Sequence, residues 1–305
     1  MFTQNAILSD GRPFADFITL SLRDGANLKA DFLSALRQLP KLIATVNKAE
    51  PTCQIEWLVA FSDQAWSQLF EQQKPSALVP FTEMKQAERH FPATAGDIFV
   101  YVKSERMDLN FRIAKGVADL FEPIAEIIED TQGYQYLIDR DMIDFVDGTE
   151  NPVDEKRVNA VLIGDEDPNY QGGSYITLQR YVHNLNKWND LAVSQQEQVI
   201  GRSKADNVEF SGEKKAPFAH INKGKSTDEA GKEIPMYRQN MPYGNAIEHG
   251  SVFIGFAKSP EVINISLRKM IFADEQGHYD HLLKYTRAVT GCIFFVPPAD
   301  FLNTL

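Results

Sequence analysis

The sequence predicts an α+β fold: two duplicated ferredoxin-like units in tandem, of the kind that builds a dimeric α+β barrel. Three observations lead there. Short apolar runs of strand composition alternate with stretches whose apolar residues recur near every 3.6 positions. This alternation is β-α-β-rich in both halves, and the halves are of similar size. The chain has 305 residues, enough for two units of about 150 residues each. The division falls between residues 149 and 150, giving units 1–149 and 150–305.

In the first unit, Asp16 to Leu22 has the composition of a strand. Asn27 to Val46 is helical, with an interruption expected at Pro40, which has no amide hydrogen to donate. Ile55 to Ser62 is a strand, Trp66 to Gln72 a helix and Asp97 to Lys103 a strand. Met107 to Ile128 reads as one long helix on its apolar spacing. In the second unit, Ser174 to Val182 is a strand, and a short helix opens at Ser194 and ends at Gly201. Pro235 to Asn240 and Val252 to Ala257 are strands, Pro260 to Phe272 and Tyr279 to Tyr285 are helical, and Cys292 to Val296 is the closing strand. Residues 150–172 and 203–235, polar and without periodicity, are connections.

Hydrophobic residues make up 43% of the chain, enough for a real core. A net charge of −11 argues against nucleic acid or an anionic membrane as partner, since both recruit basic surfaces. Lys214, Lys215, Lys223 and Lys225 form a local cluster, expected to be a solvated loop. Met1 to Ala15 lacks a basic start followed by an apolar stretch. No apolar run approaches the roughly 20 residues that span a bilayer, so a cytoplasmic location is expected. Cys53 and Cys292 lie far apart in apolar surroundings, without a CxxC pair, and are expected to be buried free thiols.

The stretch with most chemical content is Asp144-Phe145-Val146-Asp147-Gly148-Thr149-Glu150-Asn151-Pro152. Gly148 can take the positive φ that other residues resist, and Pro152 biases Asn151 toward extended backbone. Such a turn holds Asp147 on stiff backbone, which suits an acid/base group. Asp-Gly and Asn-Pro are also ordinary turn dipeptides, so the turn alone decides nothing. Of the six histidines, only His278 and His281 have ligand-like spacing, and no Cys or third His lies nearby. His220 stands in the apolar stretch Pro217-Phe218-Ala219-His220-Ile221, where a histidine is ordinarily a satisfied core residue.

Three further segments change the weights: Gly172-Gly173-Ser174-Tyr175, Ile200-Gly201-Arg202-Ser203-Lys204-Ala205-Asp206, and Tyr237-Arg238-Gln239-Asn240-Met241-Pro242-Tyr243-Gly244. In this order, with the Asp-Gly-Thr-Glu-Asn-Pro turn before them, they resemble the dye-decolorising peroxidase family, in its bacterial cytoplasmic B-type subgroup. The resemblance runs from about Leu137 to Phe301; the first half matches in its strand-helix pattern alone.

The resemblance implies haem b as cofactor, with His220 as the axial ligand of the iron and Asp280 as the acceptor behind its other ring nitrogen. It implies Asp147, Arg238 and Asn240 as catalytic residues. Gly148, Thr149, Arg202, Phe253 and Asp280 join His220 around the cofactor, with Arg202 and Lys204 suited to haem propionates. Strand alternation puts residues 238 and 240 on one face and Gln239 opposite, so both can reach one pocket. The family pattern is G-x-x-D-G, and this chain has Asp144 at the first glycine. Asp144 is expected to point away from the pocket; facing it, the second carboxylate would raise one pKa.

The implied function is a haem-dependent peroxidase that uses hydrogen peroxide to oxidise bulky organic substrates such as dyes and phenols, through a ferryl intermediate. A carboxylic acid in place of a distal histidine predicts an optimum below neutral pH unless burial raises its pKa. Electrons from bulky reductants are expected to travel through aromatic side chains, with Trp188, Tyr181, Tyr237 and Tyr243 as candidates. The alternative is a haem-handling protein for storage, delivery or iron release, with little turnover. A calcium site and an aspartic protease fail on motif spacing. A homo-oligomer, dimer or higher, is expected. The chain ends just after the closing strand, so no tail for docking inside a protein shell is expected.

Overall fold

The structure is a computed structural model, and it describes residues 2–25 and 27–305. Met1, the first residue of the segment read as lacking a leader, lies outside the described residues. The first half runs β1 (Phe14–Leu22), α1 (Leu28–Ala49), β2 (Glu56–Phe61), α2 (Asp63–Leu69), the hairpin β3 (Met84–Gln86) and β4 (Arg89–Phe91), β5 (Ile98–Ser104), α3 (Met107–Phe121) and β6 (Ala125–Tyr134). The second half runs α4 (Asp154–Val161), β7 (Ser174–His183), α5 (Leu185–Asn189), α6 (Val193–Ile200), α7 (His220–Lys223), β8 (Tyr237–Arg238), β9 (Met241–Gly244) and β10 (His249–Ala257). It closes with α8 (Pro260–Ile271), β11 (Thr286–Ala288), β12 (Cys292–Val296) and α9 (Ala299–Asn303).

The duplication is written in the strand order. The first half gives the sheet order β2-β5-β1-β6, and the second gives β9-β10-β7-β12, the same order when strands are counted within each half. The outer strands then pair across halves, β2 with β12 and β6 with β9, closing an eight-stranded barrel. Closure satisfies the edge N–H and C=O groups that an open sheet would leave unpaired. Alternation sorts the side chains. Phe17, Leu58, Ala60, Phe99, Ile176, Ile254 and Phe294 fill the barrel, while Ile18, Val59, Val100, Tyr175, Phe253 and Ile293 face the outer helices.

The two outer faces are covered differently, and this creates the site. In the first half, α1 and α3 lay Phe32, Leu36, Leu39, Ile113 and Val117 onto the sheet and seal it. In the second half, the 22-residue helix has no counterpart; short α5, α6 and α7 and the loop between α7 and β8 stand in its place. The face of β7 and β10 is therefore left with a slot, bounded on its far side by α8.

Several expectations need correction. The helix from Met107 ends at Phe121, and Ala125–Tyr134 is a strand instead. Pro40 does not break α1; its ring sits on the exposed face. Residues 235–240 form a strand only at Tyr237–Arg238, although Gln239 N–H still donates to Ile254 O (3.0 Å), and pairing with β10 resumes in β9. The connection 150–172 contains α4, and 279–285 holds only a single 3₁₀ turn, His281–Lys284. The short α9 follows the closing strand. Cys292 is buried in the barrel but Cys53 is only half-buried, and both are free. The lysine cluster is not a solvated loop: Lys223 is buried against Asp274 (2.9 Å), and Lys215 pairs with Glu209 (2.8 Å). His281 stacks on Phe218, with ring centroids 3.9 Å apart.

Candidate active site

The turn after β6 is built to hold one carboxylate. Ile143 and Phe145 are buried with Trp188, Val199 and Ile200, which pins the loop from below. Asp147 N–H donates to Asp139 O (2.9 Å), and Gly148 takes φ +76°. Asp147 Oδ1 accepts the Gly148 N–H at 2.7 Å, and Oδ2 accepts from Asn240 Nδ2 at 2.9 Å. Both oxygens are thus oriented by fixed donors. Asp144 takes φ +66°, the left-handed region where the family pattern has glycine, and aspartate tolerates it better than most residues. Its carboxylate lies 3.3 Å from Lys204 Nζ, away from Asp147, as expected. Asp144→Gly should relieve about 1 kcal/mol of backbone strain and lose about 0.5 kcal/mol of half-exposed ion pair. A small net rise in the denaturation midpoint is the expected outcome.

The second carboxylate near Asp147 is Asp141. It lines the same cavity, accepts the N–H groups of Ile143 (3.0 Å) and Phe145 (3.2 Å), and is pushed up to about 8 by burial and by the charge of Asp147. The sequence offered it only as one acid among six in this region.

Arg238 and Asn240 both line the cavity, and Gln239 points the other way, bonded to Tyr101 Oη (3.0 Å) and Lys103 Nζ (2.8 Å) inside the barrel. Asn151 ties Arg238 to the Asp147 turn: its Nδ2 donates to Arg238 O (2.7 Å) and its Oδ1 accepts Arg238 N–H (3.0 Å). Sequence reading saw Asn151 only as a turn residue. Asn240 Oδ1 is buried with no hydrogen-bond partner. Among the described residues no carboxylate lies within ion-pair reach of the Arg238 guanidinium, whereas Arg180, Arg202 and Lys204 each have one.

His220 is the first residue of α7. Its Nδ1 lies 2.6 Å from Asp280 Oδ2, and Asp280 is fully buried. The other Asp280 oxygen accepts Leu282 N–H at 2.9 Å. Burial opposes the charged imidazole, but the Asp280 carboxylate outweighs it and holds the His220 pKa above the ordinary value. Nε2 is left as the ring nitrogen without a protein partner, in a cavity shared with Asp147, Arg238, Phe253, Leu267 and Met270. A second lobe sharing His220, Asp147 and Arg238 opens toward Gly148, Thr149 and Arg202. Arg202 is already engaged: its guanidinium bonds Asn207 Oδ1 (2.8 Å) and Glu150 (3.0 Å). Thr149 Oγ1 accepts from Asn207 Nδ2 (2.9 Å).

Family profiles match both halves: Dyp-type peroxidase, N-terminal, over residues 4–135, and Dyp-type peroxidase, C-terminal, over residues 138–301. The chain belongs to the Dyp-type peroxidase family. It is 40% identical over 248 residues to a dye-decolorizing peroxidase of Rhodococcus erythropolis, covering 81% of this chain and 73% of that one. It is similar to a variant of Rhodococcus jostii RHA1 DypB solved in complex with haem, with TM-score 0.95, 33% identity and coverage of 99% and 98%. It is also similar to the encapsulated DyP-type peroxidase of Mycobacterium smegmatis, with TM-score 0.94, 33% identity and coverage of 99% and 98%. The match extends through the first half, where the sequence had shown only a pattern.

This Dyp-type peroxidase is therefore a haem enzyme, an oxidoreductase that uses haem b, hydrogen peroxide and a reducing substrate. Haem handling without turnover is not favoured by relatives named as peroxidases. The residues present fit the cofactor. A carboxylate-backed imidazole is the donor that peroxidase-type haem iron takes. Ile143, Phe145, Phe253, Leu267, Met270 and Leu282 give the slot apolar surface of the kind a porphyrin face packs against. Gly224 lines the slot beside the His220 ring, and a Cβ there would stand 3.1 Å from His220 O and 3.7 Å from Nε2. Among the described residues no helix is long and apolar enough to cross a membrane.

Proposed function

We propose that His220 Nε2 would hold the haem iron and that Asp147, Arg238 and Asn240, in the same cavity, would handle peroxide. The observation that carries this reading is the unpaired Arg238 cation, sharing one cavity with Asp147, Asn240 and His220. Bound haem supplies the iron centre at which the peroxide O–O bond is cleaved. Asp147, with both oxygens held by donors, moves a proton from one peroxide oxygen to the other. Arg238 stabilises the negative charge that develops as the oxygens separate. Asn240 keeps Asp147 in place through Nδ2 and offers its partnerless Oδ1 to a peroxide or water hydrogen. Asp280 fixes the tautomer and direction of His220 and raises its strength as a ligand. Phe253 contributes to the apolar wall and Gly148 and Thr149 line the rim, where Arg202 would serve a propionate by exchanging one of its present bonds to Glu150 or Asn207.

Asp147→Asn and Arg238→Leu should each load haem normally and lose turnover by about 10²–10³-fold. Steady-state dye oxidation, normalised to bound haem, tests this. Full activity in both variants would overturn the assignment.

The B-type subgroup, a cytoplasmic location and a homo-oligomer, dimer or higher, belong to the same proposal. Light scattering on the holoenzyme tests the last. The absence of shell packaging expected from the sequence stands against the likeness to an encapsulated relative, and co-expression with a shell protein decides it.

A further inference from the structure

We propose that Lys103, on β5 inside the barrel, is a positioning residue for Arg238 and Asn240, acting on both through Gln239. The inference rests on the peroxide-handling roles proposed above and names what aims those two side chains. Lys103 is fully buried, opposite Ala15 on β1 and Glu56 on β2. Its Nζ donates to Gln239 Oε1 (2.8 Å), Asp10 O (2.8 Å) and Ser9 O (3.0 Å). Glu56 Oε2 lies 3.5 Å away, and Glu56 is held in turn by Arg12 (2.7 Å). Taking an amine out of water is costly, and an apolar side chain would fill the space at less cost, as Phe17, Leu58 and Phe99 do elsewhere in the barrel. What the amine adds is direction: it fixes the acceptor Gln239 Oε1 in one place.

Gln239 stands between the two residues it aims. The ladder with β10 is interrupted there: Arg238 pairs with Gly255 and Met241 with Val252, while Gln239 N–H bridges the gap to Ile254 O (3.0 Å). The Gln239 side chain supplies anchorage where the ladder is thin. Its Oε1 accepts from Tyr101 Oη (3.0 Å) as well as Lys103, and its Nε2 donates to Ser9 O (3.2 Å) and Ala6 O (3.3 Å). Both donors and both acceptor positions of the amide are thus used. Alternation turns Arg238 and Asn240 to the other face, so a rotation of the backbone at 239 swings both together and strains the Asn240 bond to Asp147 (2.9 Å). Ser9 O also accepts from Tyr237 Oη (2.9 Å), so β5, the segment before β1 and the strand that carries Arg238 meet at one carbonyl. Among the described residues no strand of the first half lines the slot, so β5 acts on it at one remove.

The test compares haem-loaded wild type, Lys103→Met, Gln239→Met and the double variant, with Arg238→Leu as reference. Lys103→Met should leave haem affinity and the ferric Soret band unchanged. It should slow the peroxide-driven change in the haem spectrum about tenfold, the scale of loss when a distant change misaims a catalytic group. Fluoride affinity of the ferric haem, which draws on the same cation and needs no turnover, should fall about fivefold with it. Adding Lys103→Met to Gln239→Met should slow the peroxide step no further, although each change lowers the unfolding temperature of the apoprotein. A lysine that only holds the barrel together would give the stability losses without the shared loss of rate. Gln239→Met tests the same link from its other end should Lys103→Met not fold. An Arg238→Leu protein that reacts with peroxide like wild type would defeat the peroxide-handling reading itself. A slowed Arg238→Leu, beside wild-type rates and fluoride affinities in Lys103→Met and Gln239→Met, would overturn this inference alone.

Discussion

Alanine at position 220 is expected to abolish stable haem loading, and with it the Soret absorption, while the apo fold survives. His220 is the one imidazole lining the slot whose outer nitrogen is free; His183, in the far wall, has both nitrogens bonded. Removing His220 leaves Asp280 one bond from Leu282 N–H, so a modest loss of apo stability accompanies the loss of ligand. Asp280→Asn separates the roles. It keeps the shape but replaces the carboxylate behind Nδ1, and should weaken haem affinity about 10–100-fold without abolishing it. Haem titration followed by absorbance, beside thermal unfolding of both apo variants, distinguishes lost ligation from lost fold. Added imidazole should restore a Soret band to His220→Ala. Equal haem affinity in wild type and His220→Ala would place the ligand elsewhere.

A large stability effect is expected far from the haem slot. Asp16 on β1 is buried, and neither of its oxygens has a hydrogen-bond partner. Burial, helped by Asp130, pushes its pKa from 3.8 to about 7. The folded state therefore binds this proton more tightly than the unfolded chain. The stabilisation is fully present below the unfolded pKa, falls as pH rises from about 4, and is lost once pH passes about 7. A shift of this size corresponds to about 4 kcal/mol at most. Asp16→Asn, isosteric and uncharged, should match wild type near pH 4 and exceed it at pH 8. A gain of about 5 °C in Tm at pH 8 is the expected result. A difference between the two proteins that does not change with pH would contradict it.

Local pattern made the fold legible where each element is self-sufficient. β1, β2, β5, β7 and β12 announce themselves by apolar content, and Gly201, in left-handed backbone at φ +94°, ends α6 where the sequence placed the stop. The errors fall where tertiary pairing overrides local spacing. Ile127 and Ile128 continue the apolar rhythm of α3, yet they belong to β6, paired along its length with β1. The break between β8 and β9 arises because this edge serves both barrel closure and the site, with Asn240 turned toward Asp147 between them.

The candidate site was legible as motifs but not as contacts. Asp147, Arg238, Asn240 and His220 meet in one cavity as the motifs implied. Asn151 was in view but its clamp on Arg238 spans 87 residues, and no local signal reports it. Asp141 looked like one acid among several until burial singled it out.

The most direct test of the central claim is the visible absorption spectrum of the haem-loaded protein before and after one equivalent of hydrogen peroxide. A ferric, histidine-ligated Soret band that shifts on peroxide addition and returns when a reductant is supplied is the predicted result. A Soret band that peroxide leaves unmoved would contradict the roles given to Asp147 and Arg238, and the absence of any Soret band would return His220 to the status of a buried core histidine.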